Sequence, residues 1–320
     1  MAQNITGTGT SWNLPNYAGE LFSASPTKTP FLSAIGGMSG GKVSESDEFI
    51  TGQEYELPDA AQPEISEIAS ETAPPATAIA REQKTNVTQI FHESVAITYA
   101  KMANRGKLAG LNLAGQKANP VNEKDWQIAL RLKKIARDME HTFLNGTYQK
   151  SDGAAVANKT RGMLELCSTG TTLALDNSAL TLDKMQPLYK AMADAGAPFG
   201  KMALYCNSLV KQMLTAFYEK QLGYNARAAR NSGGMNVTHI ETDFFEMDIT
   251  YDPFMPVNAL LIADLSVCAP VFTPVPGKGV TFYEELAKTG AAEKGQIFGL
   301  AGLDHGPQFA HASITGIKVA

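Results

Sequence analysis

Residues 62–83 read QPEISEIASETAPPATAIAREQ, a stretch with almost nothing a folded core can use. It holds Glu64, Glu67, Glu71 and Glu82, small residues, the pair Pro74 and Pro75, and only isolated isoleucines. On either side, DEFITGQEYEL (47–57) and NVTQIFHESVAITY (86–99) are rich in β-branched and aromatic residues, as strands tend to be. They predict two β arms joined by a tip from Pro58 to Lys84. A connection longer than roughly 15 residues is uncommon in a compact domain and is usually either functional or disordered. This tip cannot supply its own core, so the surface expected to order it belongs to another molecule.

Charge shows the same unevenness. Residues 43–83 carry ten acidic side chains against Arg81 alone, whereas residues 101–161 carry twelve Lys or Arg against five Asp or Glu, within a chain whose net charge is −5. An acidic block is therefore followed by a basic one. Either both are solvated faces, or the acidic block of one copy lies on the basic block of another, where opposite potentials steer contact.

The strongest helix signal is NEKDWQIALRLKKIARDMEHTFLNG (122–146). Asn122 is placed to cap it, Asp125 suits its positive end, and Asn145 with Gly146 predicts a left-handed stop. Ile128, Leu132, Ile135, Met139 and Phe143 form one apolar stripe at steps of four and three. Lys133, Lys134 and Arg137 lie off it and are expected to face outward. At 1.5 Å per residue the helix should run about 33 Å.

Beyond it the pattern alternates. Leu188, Met192 and Ala195 predict a short helix closed by Gly196, beginning late or bent at Pro187. MALYC (202–206) reads as a buried strand, with Asn207 capping a helix whose inner face is Val210, Met213, Leu214 and Phe217. In FEMDITYD (245–252), Phe245, Met247, Ile249 and Tyr251 alternate with polar residues, so one face is buried. Residues 259–272 and QFAHASITGIKV (308–319) add strands. The fold class is α+β, with no regular βαβ repeat.

At 320 residues, a prior of roughly 150 per domain suggests about two domains. The 44% hydrophobic and 18% charged composition gives no sign of a strongly basic nucleic-acid binder. No basic and apolar leader opens the chain. Asp264 interrupts even the run NALLIADLSVCAPVF (258–272), short of the roughly 18 apolar residues of a membrane helix, so the expectation is a soluble protein with no membrane partner. Cys167, Cys206 and Cys268 are far apart, as core thiols in a reducing compartment are.

Candidate chemistry dissolves on inspection. In GGMSGGKV (36–43), Gly37, Ser39 and Gly41 match a nucleophile elbow, but that motif needs a strand before the serine and a helix after it. The same letters fall short of a phosphate-binding loop, with Val43 where Ser or Thr should be. His92, His141, His239, His305 and His311 lack metal-ligand spacing. His305 and His311 flank a Gly-Pro pair, where a surface or hydrogen-bonded role is expected. Glu284 and Glu285 point to opposite sides of any strand. The expectation is no catalytic residue, no metal and no cofactor, with a serine hydrolase using Ser39 as the enzyme alternative.

The order of parts resembles the major capsid protein of tailed bacteriophages with the Hong Kong ninety-seven fold. SPTKTPFLSAIGG (25–37), NVTQIFHESVAIT (86–98), KIARDMEHTFLNG (134–146), TRGM (160–163) and LAKTGAAEKGQI (286–297) carry the resemblance. It implies an N-terminal arm at 1–45, an extended β-hairpin loop at 46–100, the spine helix with the first part of a peripheral domain at 101–170, an axial domain at 170–240, and returning strands at 240–320. It further implies self-assembly into hexamers and pentamers of an icosahedral head in the virion, assembled in the host bacterial cytoplasm. That head encloses double-stranded DNA without base-specific contact, with a separate scaffold, a portal and decoration proteins as possible partners. Some relatives join loop to neighbour through a lysine–asparagine isopeptide bond; no lysine lies between Lys42 and Lys84 here, so the loop is expected to hold without covalent links. Contact of Glu64, Glu67 and Glu71 with Lys133, Lys134 or Arg137 of a neighbour is the expected interface. An encapsulin-like nanocompartment shell and a monomeric binding protein with an acidic linker are the other readings.

Overall fold

The computed structural model describes residues 23–103, 123–222 and 238–319, the side chains of 219–222 excepted. Residues 1–22 of the expected arm and the Asn122 cap lie outside the described residues.

Two sheets and a projecting hairpin organise the chain. The first sheet is built around β12 (Ala292–Asp304). One edge of β12 pairs antiparallel with β11 (Thr281–Glu285) and β10 (Ala269–Phe272), and the other with β4 (Gln89–Thr98). The short β1 (Lys42–Val43) adds in parallel to β10. The second sheet has the order β5 (Thr172–Ser178), β13 (Ala312–Ile317), β9 (Leu260–Asp264), β6 (Met202–Cys206), β8 (Glu246–Tyr251), β7 (His239–Glu241). The third pairing is a hairpin of β2 (Glu48–Tyr55) and β3 (Arg81–Val87), whose connection includes a single helical turn, α2 (Glu67–Ser70).

The return arm of the hairpin differs from the sequence expectation. Residues 86–99 do not pair with 47–57 along their length; the pairing ends at Val87, and β4 belongs to the large sheet. Both segments have the same strand-forming composition, so composition could not choose between the partners.

α4 (Glu123–Asn145) is the long helix. Ile135, Met139 and Phe143 are fully buried, and Ile128 and Leu132 pack on the same cluster. Each such side chain contributes about 1.5–3 kcal/mol by leaving water. Gly146 ends the helix, yet not as a left-handed residue, for its φ is not positive. A Cβ there would lie 2.4 Å from the Thr142 carbonyl and 2.7 Å from that of Thr160, and a Cβ on Gly162 would lie 2.5 Å from the Gly146 nitrogen. Glycine is required at both positions because two backbones touch.

The second sheet separates two cores, which explains its apolar strands. In β6, Ala203 and Tyr205 face one core, shared with α1 (Pro30–Ile35), α4 and α5 (Met163–Ser168). Met202, Leu204 and Cys206 face the other, shared with α6 (Leu182–Asp194) and α7 (Ser208–Leu222). β9 divides in the same way, with Leu261 and Ala263 on one side and Leu260 and Ile262 on the other. α6 starts at Leu182 rather than after Pro187, which it carries inside; the proline forfeits one backbone bond while Met185, Leu188, Tyr189 and Met192 anchor the helix. Along β8 the expected alternation buries Phe245, Met247 and Ile249, whereas Tyr251 at the end is exposed. Tyr99–Ala103 forms the short α3 after β4. No helix among the described residues is long and apolar enough to cross a membrane.

Candidate assembly interface

Every residue from Tyr55 to Gln83 is exposed. Tyr55, Leu57, Ile65, Ile68 and Ile79 therefore present apolar side chains to solvent, Ile68 at 81% exposure. Within this stretch the order is local, for Ser66 caps α2 by accepting the Ala69 N–H at 3.2 Å. Glu64, Glu67 and Glu71 stand free of ion pairs among the described residues.

In contrast, the base of the hairpin is fastened. Asp304, at the end of β12, accepts the Thr51 hydroxyl at 2.6 Å, the Lys42 ammonium at 2.5 Å and the Gly306 N–H at 3.2 Å. Burial alone would raise its carboxyl, but these donors outweigh it and hold the group below its ordinary range. Asn86 is fully buried: it donates to the Leu303 carbonyl at 2.8 Å and accepts the Arg161 N–H at 2.8 Å. Gly52 has φ +56° at an irregularity in the pairing of β2 with β3, pressed against the Gly306 carbonyl. A conformation of this kind suits glycine. Lys84 reaches Gln308 at 3.1 Å and Glu54 at 3.5 Å. The loop is thus a long unpacked reach on a rigid root.

His305 and His311 are both buried beside this root, not at the surface. His311 Nε2 lies 2.6 Å from the His305 carbonyl. Burial pulls each imidazole down to about 4, so both are neutral near pH 7. Cys167, Cys206 and Cys268 are buried free thiols.

The outward face of α4 is partly committed. Lys133 is exposed and unpaired among the described residues. Lys134 pairs with Glu93 of β4 and with Asp138 at 3.1 Å, while Arg131 reaches Glu93 at 2.9 Å. Arg137, expected to face outward, is half-buried with its guanidinium over the Phe254 ring at 5.7 Å. One turn further along, the C-terminal end of α4, the loop 151–159 and Ile90 of β4 enclose a concavity of about 680 Å³. A second of about 350 Å³ lies beside it, lined by Lys134, Asp138, His141 and residues 89–93. Within one chain the acidic tip and the basic face are not brought together.

Asp304, Asn86, Thr51 and Glu140 were not singled out from the sequence. Their partners lie as many as 262 residues away, and no local pattern announces them.

Ser39 sits exposed in the turn between α1 and β1, so the order is helix, turn, strand, the reverse of a nucleophile elbow. No histidine bonds to it among the described residues. No group of His, Cys, Asp and Glu able to hold a metal occurs among the described residues.

A family model described as SU10 major capsid protein matches residues 4–318. Among solved structures, the capsid asymmetric unit of cyanophage A-1(L) is similar with a TM-score of 0.65 at 10% identity, covering 94% of this chain and 96% of that one. The capsid of the native GTA particle gives 0.59 at 13% identity, covering 93% and 92%. The holo-SrpI encapsulin complex of Synechococcus elongatus PCC 7942 gives 0.52 at 10% identity, covering 92% of each chain. The search of curated proteins returns no match.

Proposed function

The chain belongs to the SU10 major capsid protein family and is a structural capsid protein of the virion, and on that premise we propose that residues 55–83 of one copy lie across a neighbouring copy, against the outer face of its α4. The observation that carries this reading is the unbroken exposure of 55–83, apolar side chains included, on a root that is firmly bonded. Apolar side chains left in water over such a length favour a partner surface. Glu64, Glu67 and Glu71 would lie near Lys133, Lys134 or Arg137 of the neighbour, with Lys133 the residue whose charge is least committed.

In this reading α4 and the sheet around β12 form the peripheral part of the subunit, and the six-stranded sheet with α6 and α7 forms the axial part that meets its copies at the capsomer centre. Heterologous contacts close into rings when the rotation allows, and hexamers and pentamers of one chain need the arm and loop to absorb different angles. Interfaces of permanent assemblies bury upward of about 2,000 Å². The shell encloses double-stranded DNA without reading its bases, consistent with the net charge of −5. A separate scaffold, a portal and decoration proteins are the further partners, and assembly takes place in the host cytoplasm.

Negative-stain microscopy with light scattering of the purified chain is the test. Closed particles in the megadalton range are expected; a stable species near 34.2 kDa would overturn the assembly reading. For the loop contact, Glu64, Glu67 and Glu71 are the residues to reverse, since they make no ion pair within the subunit, whereas reversing Lys134 also breaks its bond to Glu93. The triple change to lysine should slow assembly at low salt and much less at high salt. Equal rates with wild type at both would leave these charges as solvated faces. The likeness to an encapsulin favours a second reading, a cargo shell, and the contents of purified particles separate the two.

A further inference from the structure

Glu140 is fully buried on the inner side of α4, and both its oxygens accept backbone N–H groups of α1: Phe31 at 2.7 Å on Oε1 and Leu32 at 2.6 Å on Oε2. Asp252, also fully buried and just past the end of β8, lies within hydrogen-bonding reach of it. Asp252 Oδ1 accepts the Phe254 N–H at 2.8 Å, while Oδ2 is buried with no donor aimed at it. The backbone of Asp252 is fixed by its N–H bond to the Cys206 carbonyl at 2.9 Å. No salt bridge reaches either carboxylate among the described residues. Arg137, on the same helix as Glu140, turns its guanidinium over Phe254, and His141 faces solvent. From β6 come the Tyr205 phenol and the Cys206 thiol, both neutral, and beyond them the Cys268 thiol. α1 contributes no titratable side chain.

Two carboxylates in contact in a dry core cannot both be charged. The hydrogen bonds also say where the proton belongs. Both oxygens of Glu140 are already committed as acceptors, whereas Asp252 Oδ2 lacks any donor and is satisfied if it becomes one. We propose that Asp252 carries a proton donated to the Glu140 carboxylate, and that this single proton is a clasp fastening α1 to α4 and to the end of β8, released when alkaline pH removes it. The inference stands on the fold of one subunit and does not depend on how copies assemble.

Burial first, and then the neighbouring Asp252 carboxyl, raises Glu140 to about 9; burial raises Asp252 as well, against the lowering pull of its contact with Glu140 and of the Phe254 N–H. The pair titrates as a unit. A carboxyl raised in the folded state stabilises fully below its ordinary value of 4.5, and that contribution is lost as pH rises toward about 9. Within that window the folded chain holds one proton more than the unfolded chain, so the folding constant falls up to tenfold per pH unit.

Urea unfolding of the full-length chain, followed from pH 6 to 9, tests the clasp with two isosteric changes. Asp252→Asn keeps a donor toward Glu140 but has no proton to lose; its unfolding constant relative to wild type should fall by at least tenfold across the range, since it escapes the pH loss. Glu140→Gln keeps one acceptor and sets an amide N–H against the other of the two α1 donors, and should speed hydrogen exchange at Phe31 or Leu32 at every pH. Parallel pH profiles for wild type and Asp252→Asn would overturn the proposal. Should Asp252→Asn fail to fold, infrared spectra of the wild-type chain decide the matter. A protonated carboxylic acid band is expected at pH 7 and gone at pH 10, and its absence at pH 7 refutes the clasp. Asp264 and Asp304 are held below their ordinary range and do not contribute such a band.

Discussion

Replacing Asp304 by alanine tests whether the root of the hairpin is held by buried hydrogen bonds. The change strands two enclosed donors, the Thr51 hydroxyl, whose residue is 3% exposed, and the Gly306 N–H. A buried donor left without its acceptor costs about 1–3 kcal/mol. The third partner, Lys42, has a side chain 64% exposed and returns to water, so its loss contributes about 0–1 kcal/mol. The expected destabilisation is therefore about 2–7 kcal/mol. Asp304→Asn keeps Oδ1 for Thr51 and Gly306 and surrenders only the bond to Lys42, so it should cost about 1 kcal/mol or less. Urea unfolding of the full-length chain measures both values, and hydrogen exchange over 48–55 and 81–87 locates the loosening. An alanine variant within about 0.5 kcal/mol of wild type, the range of ordinary surface changes, would refute the reasoning, as would an asparagine variant as unstable as the alanine one.

Four further outcomes are expected. His305 and His311, depressed to about 4 by burial, lend stability above their ordinary value of 6.5 that is lost as pH falls toward 4, so acid unfolding should weaken when His311 is replaced by an uncharged residue that fits the cavity; an unchanged acid limb counts against it. Gly302→Ala places a Cβ 2.7 Å from the Phe49 ring and 2.8 Å from the Val87 carbonyl, and should cost about 1–3 kcal/mol by overpacking, read from a thermal melt. Burial raises the Cys167 and Cys206 thiols to about 12, so a thiol reagent at pH 8 should label them only on unfolding; labelling of the native chain would contradict their burial. Assembled shells boiled in detergent should run as single chains, since residues 43–83 contain no lysine, and a ladder of covalent multimers would contradict loop contacts made without cross-links.

The α4 helix could be read from the sequence because its cause is local: apolar residues at steps of three and four make a stripe wherever the chain folds. So could MALYC, since a short all-apolar run suits a strand covered on both faces, and the soft acidic tip, which lacks the material for a core. Local reading failed at 86–99, where strand-forming residues announce a strand without naming its partner, and at Gly146, whose need for glycine comes from the backbone of Thr160 and Gly162 rather than from a left-handed turn. It was silent on Asp304, Asn86 and the pair Glu140 and Asp252. Each is an ordinary polar residue until folding brings up Thr51 from 253 positions away, Leu303 from 217, or Phe31 from 109. Periodicity and composition act over one or two turns of chain, so the sequence alone determined which segments become helix, strand and exposed loop. The tertiary structure decided where that loop is rooted and which buried charges are neutralised, because desolvation and hydrogen bonding depend on neighbours in space.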